Sequence, residues 1–231
     1  MPLEPALRNS IRSALQGIAV TGLSQMVACD LYELFILTII IDAAKSQGPV
    51  TIAHYDMAGN VTTTVRCPTA PRALGRGNYT HVRIAYPGKK VLEAHLGVYV
   101  LGKSKVDHEC DVVVLLHEEA ENCRRRTTNP PPGPVYHPTA ASVLCFTECK
   151  CYVNTQLTIG HGRAFIGLSQ DVKPPAVCAC FASTKTHDAI NKFLLAHHKV
   201  CAQDLKPGNA TEIQWLRGKF ADRFRTFKLK P

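Results

Sequence analysis

The sequence predicts an α/β protein, a mixed central sheet flanked by helices, and three observations carry that expectation. A long and nearly all-apolar helical segment runs from about Ser24 to Ser46. Strand-like segments follow at Val91–Leu101, Cys110–Leu116 and Val143–Tyr152, rich in β-branched and apolar residues. A further helical stretch then leads into Val177–Ser183, apolar throughout as a central strand would be. Helices and strands interleaved in this way describe layers packed on a shared sheet.

The 231 residues suit one main domain with an extension at each end. We divide the chain into a helical extension over 1–24, the main domain over 25–200 with an inserted loop at about 118–140, and a basic extension over 201–231. A hydrophobic fraction of 45% is ordinary for a globular protein with a core. The formal net charge of +9 favours a polyanionic partner. The most apolar run, Leu34–Ala44, is shorter than the roughly 20 residues that span a bilayer. No basic region followed by a long apolar run marks the amino terminus, so no secretory signal and no membrane partner are expected. Ten cysteines raise the question of disulfides or zinc, yet Cys149 and Cys151 share a strand face, as do Cys178 and Cys180. Structural zinc prefers cysteine pairs on tight turns, so buried thiols in a reduced, cytoplasmic protein are the expected account.

In chain order, Ala6–Ala19 reads as a helix with a basic edge at Arg8 and Arg12. The helix over 24–46 ends at Gly48-Pro49, a stop signal. Its apolar content lies nearly all round, which predicts burial against the sheet, and Glu33 stands out within it. Val50–Tyr55 and Val61–Cys67 flank Met57-Ala58-Gly59-Asn60 and read as a β-hairpin. Pro68–Gly77 is a loop carrying Arg72 and Arg76, and Tyr79–Tyr86 a further strand. On Val91–Leu101 the period of two places Glu93, His95, Gly97 and Tyr99 on one face and Leu92, Ala94, Leu96, Val98 and Val100 on the other. Glu109 and Asp111 share a face of the next strand, and Glu148 and Lys150 share a face of the strand after it. Glu93, His95, Glu109 and Asp111 are therefore expected to converge beside Glu148 and Lys150. Carboxylates gathered in this way raise one another's pKa unless a cation neutralises them, which is the argument from residues for a metal.

Glu118–Ala140 reads as an acidic turn, the run Arg124-Arg125-Arg126 and a proline-rich extended loop over 129–134. The arginines are candidate phosphate contacts, weighed against an ordinary solvated charge run. Ala164–Leu168 is helix-like, His187–Lys199 is an amphipathic helix, and Ile213–Lys230 interleaves Trp215, Phe220, Phe224 and Phe227 with basic residues. Within that tail Arg223, Arg225 and Lys228 are candidate nucleic-acid contacts, while its aromatics are expected to complete the core.

Asp111 at the opening of an apolar strand, followed by Glu148-Cys149-Lys150 on a later one, resembles the signature of the PD-(D/E)xK nuclease superfamily. The likeness is greatest to its Mrr-like and Holliday-junction-resolvase branches, and it covers roughly residues 25–185. No proline precedes Asp111, and the 36 residues between Asp111 and Glu148 imply an insertion. The resemblance implies a restriction endonuclease-like α-β-β-β-α-β core. It implies that Asp111, Glu148 and the carbonyl of Cys149 hold Mg²⁺ (or Mn²⁺), that Lys150 orients or deprotonates water, and that Glu33 adds a carboxylate from the helix over 24–46. Gln156, His161 and Arg163 follow the active strand, where side chains can reach the scissile phosphate. The implied activity is metal-dependent cleavage of DNA in restriction or anti-phage defence. A homodimer, and further subunits of a defence system, are the expected protein partners. Junction resolution or repair, and a non-catalytic nucleic-acid-binding protein of the same fold, are the alternatives.

Overall fold

The computed structural model describes residues 3–16, 18–68, 70–127, 132–151, 156–172 and 178–229. Tyr152, Val177, Lys230 and 129–131 of the proline-rich segment lie outside the described residues. A seven-stranded mixed sheet forms the centre, ordered β2 (Thr51–Tyr55), β4 (His81–Ala85), β5 (Leu92–Leu101), β6 (Asp107–Leu116), β7 (Val143–Lys150), β8 (Cys178–Ser183) and β9 (Val200–Ala202). Pairing is antiparallel from β2 to β7 and parallel from β7 to β9. Parallel neighbours need crossovers, supplied by α4 (Ile159–Asp171) between β7 and β8 and by α5 (Asp188–Ala196) between β8 and β9.

One face of the sheet packs against α2 (Ala28–Lys45), whose side chains from Leu31 to Ala44 are buried with few exceptions. Such a helix holds its place by burial, since apolar surface removed from water contributes roughly 25 cal/mol per Å². It ends where Gly48 takes φ +96, a conformation open to glycine, and Pro49 cannot continue a helix. The first helix, α1 (Leu3–Leu15), lays Leu7, Ile11 and Leu15 into the same cluster at four-residue spacing. The last, α6 (Ala210–Leu229), adds fully buried Leu216, Phe220 and Phe224, while Trp215 remains partly exposed. Phe220 and Phe224 of the tail thus complete the core, whereas Trp215 does not. On the opposite face α4, α5 and α3 (His117–Arg126) cover a second cluster that includes Phe146, Phe165 and Phe181.

The first helix stops at Leu15 rather than Ala19, and Val200–Ala202 form a strand not expected from the sequence. The structure departs from the expected elements in three further places. The segment 61–67 does not continue a hairpin with β2. After the single bridge Tyr55–Val61, the Thr62 hydroxyl accepts the Thr64 N–H at 3.0 Å and turns the chain away. Residues Thr64–Val65 (β3) then pair in parallel with Ala19–Val20 (β1), a strand and a pairing the sequence did not announce. The inserted segment opens with α3 rather than a charged loop. Glu118 and Glu119 sit in its first turn and Arg124–Arg126 in its last, the distribution that complements a helix dipole. Finally, β5 changes face at Gly97, which takes φ +55. Leu92, Ala94 and Leu96 join the α2-side cluster, whereas Val98 and Val100 join the other. A single alternation along the whole strand therefore fails at that glycine.

Candidate active site

Antiparallel pairing of β6 and β7 sets Val112 opposite Thr147, so Asp111 comes level with Glu148 and Glu109 with Lys150. Asp111 is buried, and its Oδ2 accepts the backbone N–H of Cys149 at 2.6 Å. Glu148 Oε1 stands 2.5 Å from Lys150 Nζ, both side chains partly exposed. The fourth group arrives from α2. Cys29 Sγ donates to the Cys151 carbonyl at 3.4 Å, fixing the first turn of α2 to the end of β7. Glu33, one helical turn later on that side, is thereby brought into the field of Asp111, Glu109 and Lys150.

Burial pushes the Glu33 carboxyl up to about 9, helped by the negative charges of Asp111, Asp30 and Glu109. Burial likewise pushes Asp111 up to about 7, with Glu148 adding to the rise while the Cys149 N–H and Lys150 oppose it. Glu109 is raised by burial and then by Glu148. The site therefore holds more carboxylate than its one lysine neutralises, and it retains a proton on Glu33 at neutral pH. A divalent cation among hard oxygen donors is the usual resolution of such a cluster. Among the described residues, no group of three or more His, Cys, Asp or Glu side chains stands arranged to hold a metal ion. Asp30, one turn before Glu33, is the residue of this cluster that sequence reasoning missed; its spacing of three from Glu33 was the available signal.

Glu93 and His95 lie elsewhere. Glu93 pairs with Leu115, four residues along β6 from Asp111, which is roughly 13 Å at 3.3 Å per residue. Shared facing was the right criterion, but position along the strand decides the matter. Glu93 is fully buried in a separate hub. Arg124 grips it through two bonds of 2.7 and 2.8 Å, and Arg83 Nε approaches at 3.2 Å. His117 Nδ1 lies at 2.5 Å and His95 Nε2 at 3.0 Å. The His81 ring stacks on that of His95, with 5.2 Å between centroids. Burial alone would raise the Glu93 carboxyl, but these hydrogen bonds hold it well below the usual carboxylate range. Burial also lowers His95 to about 4, so it is neutral and donates Nε2–H to Glu93.

The remaining candidates disperse. Arg124 belongs to the Glu93 hub and is only 8% exposed, so it is not the phosphate contact expected of it. Arg125 and Arg126 are exposed, the first bonded to Asn122 and the second lying 4.0 Å over the Tyr136 ring. His161 caps α4: its Nδ1 accepts the Thr158 N–H at 3.0 Å, in place of the glutamate usual at that position. Gln156 and Arg163 are exposed at the start of α4. Arg223 donates to the Leu144 carbonyl at 3.1 Å, Lys228 bonds the Gln47 carbonyl, and Arg225 pairs with Asp222 on the surface. Of the tail candidates, Arg225 alone points its charge at solvent without tying two elements together. All ten cysteines are free thiols, most of them buried. No helix among the described residues is long and apolar enough to cross a membrane.

Fold and site together define an α/β protein with a seven-stranded mixed sheet and an acidic cluster facing one lysine at a strand end. Comparison of the chain with protein-family models, curated proteins and solved structures yields no match.

Proposed function

We propose that this protein is a metal-dependent nuclease that hydrolyses phosphodiester bonds in DNA. The observation that carries the reading is the meeting of Asp111, Glu148, Lys150 and Glu33 at one end of the β6–β7 pair. Topology supports it. Helix α2, the antiparallel run β5–β6–β7, crossover α4 and parallel β8 follow the α-β-β-β-α-β order that the resemblance implies, with β2 and β4 added before β5.

The donor set suits magnesium or manganese in kind: Asp111, Glu148 and Glu33 carboxylates and the Cys149 carbonyl are all hard oxygen ligands. When bound, the ion neutralises charge on the phosphate and makes a coordinated water more acidic. The Cys149 N–H holds Asp111 at a fixed rotation, leaving its second oxygen for a ligand. Glu148 keeps the Lys150 ammonium at the strand end, where it orients the attacking water or a phosphate oxygen. Glu33 releases its proton as positive charge enters the site. The role we attach is restriction or anti-phage defence, working as a homodimer when both strands are cut.

The test is cleavage of linear duplex, four-way junction and single-stranded DNA in Mg²⁺, Mn²⁺ and EDTA. Metal-dependent cutting of any of them supports the reading, a marked preference for the junction moves the role to resolution or repair, and no cutting in either metal refutes it. One observation favours a second reading, a binding-only protein: Lys150 already closes on Glu148 at 2.5 Å. That reading expects salt-dependent DNA binding without cleavage in the same assay.

A further inference from the structure

Two adjoining hollows, of about 420 and 320 Å³, lie where β5 ends and β6 begins. They share Asp107, Val135 and His137. Their walls are the segment 70–77 and the segment 132–139, with α3 closing the second hollow. The first is stitched to β5, since Arg72 N–H donates to Gly97 and the Arg72 carbonyl accepts from Tyr99 N–H. The second is tied to it by Arg76, which donates to the Gly133 carbonyl at 2.6 Å. Both walls are therefore part of the fold.

The lining combines aromatic rings with three arginines, and it also holds the carboxylates of Asp107 and Glu119. Tyr99 and His137 meet edge to face with 5.6 Å between centroids, and Tyr136 lies beneath Arg126. Arg72 and Arg76 line the first hollow and Arg126 the second. His137 Nε2 faces Asp107 Oδ2 at 3.6 Å, and its buried Nδ1 has no hydrogen-bond partner among the described residues. Position matters as much. Tyr99 pairs with Glu109 across β5 and β6, and Glu109 is level with Lys150 on β7. Two strand spacings, roughly 10 Å, separate Tyr99 from the lysine strand.

We infer that this groove binds an unpaired nucleotide of a single-stranded nucleic acid, its base against Tyr99 and His137 and its phosphate on Arg72 and Arg76. The inference rests on the nuclease reading for the choice of nucleic acid as ligand. A basic groove with aromatic platforms suits a single strand, because a base is free to stack only when it is unpaired.

Binding of short fluorescein-labelled oligonucleotides, single-stranded and duplex, is measured by anisotropy in EDTA, where no chemistry occurs. The single strand is expected to bind more tightly than the duplex. Tyr99→Ala should weaken it roughly 5- to 150-fold, the range for loss of one stacked base, while Tyr99→Phe retains the affinity. Arg72→Gln should lower the salt slope by about 0.7, the value for one phosphate contact on a single strand. Wild-type affinity in Tyr99→Ala, equal loss in Tyr99→Phe, or preference for duplex overturns the inference. The two readings separate: intact cleavage with an indifferent Tyr99→Ala removes the groove alone. Single-strand binding that depends on Tyr99, with no cleavage in any metal, removes the nuclease alone.

Discussion

The backbone N–H of Cys149 donates to Asp111 Oδ2 at 2.6 Å, a bond that joins β6 to β7 through a side chain where the two strands carry their acids. It stabilises the charged form of Asp111, yet burial and Glu148 outweigh it and the carboxyl is pushed up to about 7. The acid is thus oriented by the sheet but not neutralised by it.

Glu33 makes the consequence measurable. Its folded-state pKa of about 9 lies above the ordinary 4.5, so the folded protein binds the proton that the unfolded chain releases. Stability from this group is complete below pH 4.5 and declines as pH rises towards 9. In metal-free buffer, Glu33→Gln should gain on wild type across that window, by at most about 1.4 kcal/mol per pH unit. Urea melts of both proteins at several pH values check it. Parallel profiles would place Glu33 in water.

Arg124 and Arg125 are neighbours with opposite fates. Arg124→Gln leaves the buried Glu93 carboxylate short of its bidentate partner and should cost about 3 kcal/mol or more. Arg125→Gln, on the exposed side of α3, should change stability by no more than about 0.5 kcal/mol. Thermal melts of the two variants decide whether the arginine run is mainly structural or mainly a binding face.

His54 and His95 set an acid limit. Burial lowers each to about 4, below the ordinary 6.5, so the unfolded chain takes up protons that the folded protein refuses. Their contribution is whole above pH 6.5 and lost as pH falls towards 4. His54→Phe keeps a ring in place without titrating, and its stability profile should be flatter between pH 4 and 6.5. An unchanged slope, followed by denaturant melts, would contradict the assignment.

Much of this architecture was legible in local pattern. Helix α2 announces itself by an apolar surface with no polar face, and β5 through β8 by runs of Val, Leu and Cys between turn residues. Asp111, Glu148 and Lys150 were legible because a strand's period of two is rigid. Two things were not. Helix α3 is polar nearly throughout and buries little beyond Ala120 and Cys123, so its only signal was acid at the start and base at the end. The Glu93 hub draws His81 and Arg83 from β4 and His117 and Arg124 from α3, and no spacing within one element foretells such a meeting. Gly97 hid a change of face that alternation alone cannot express.

Lys150 distinguishes chemistry from charge balance. If it serves only as the partner of Glu148, Lys150→Arg keeps the ion pair and the activity. If it orients water or phosphate as a compact ammonium, the planar guanidinium will not match the geometry. We expect that variant to bind DNA like wild type and to lose most cleavage in single-turnover time courses.

The most direct measurement is nicking of supercoiled plasmid in Mg²⁺ by wild type and by Asp111→Asn, with DNA binding matched beforehand. Asparagine keeps an acceptor for the Cys149 N–H, so the strand pair is preserved while the charge is removed. The account predicts that wild type nicks the plasmid, that EDTA stops it, and that Asp111→Asn is slower by at least about 100-fold, as loss of a central catalytic group requires. Equal nicking by the two proteins, or nicking that continues in EDTA, would contradict it.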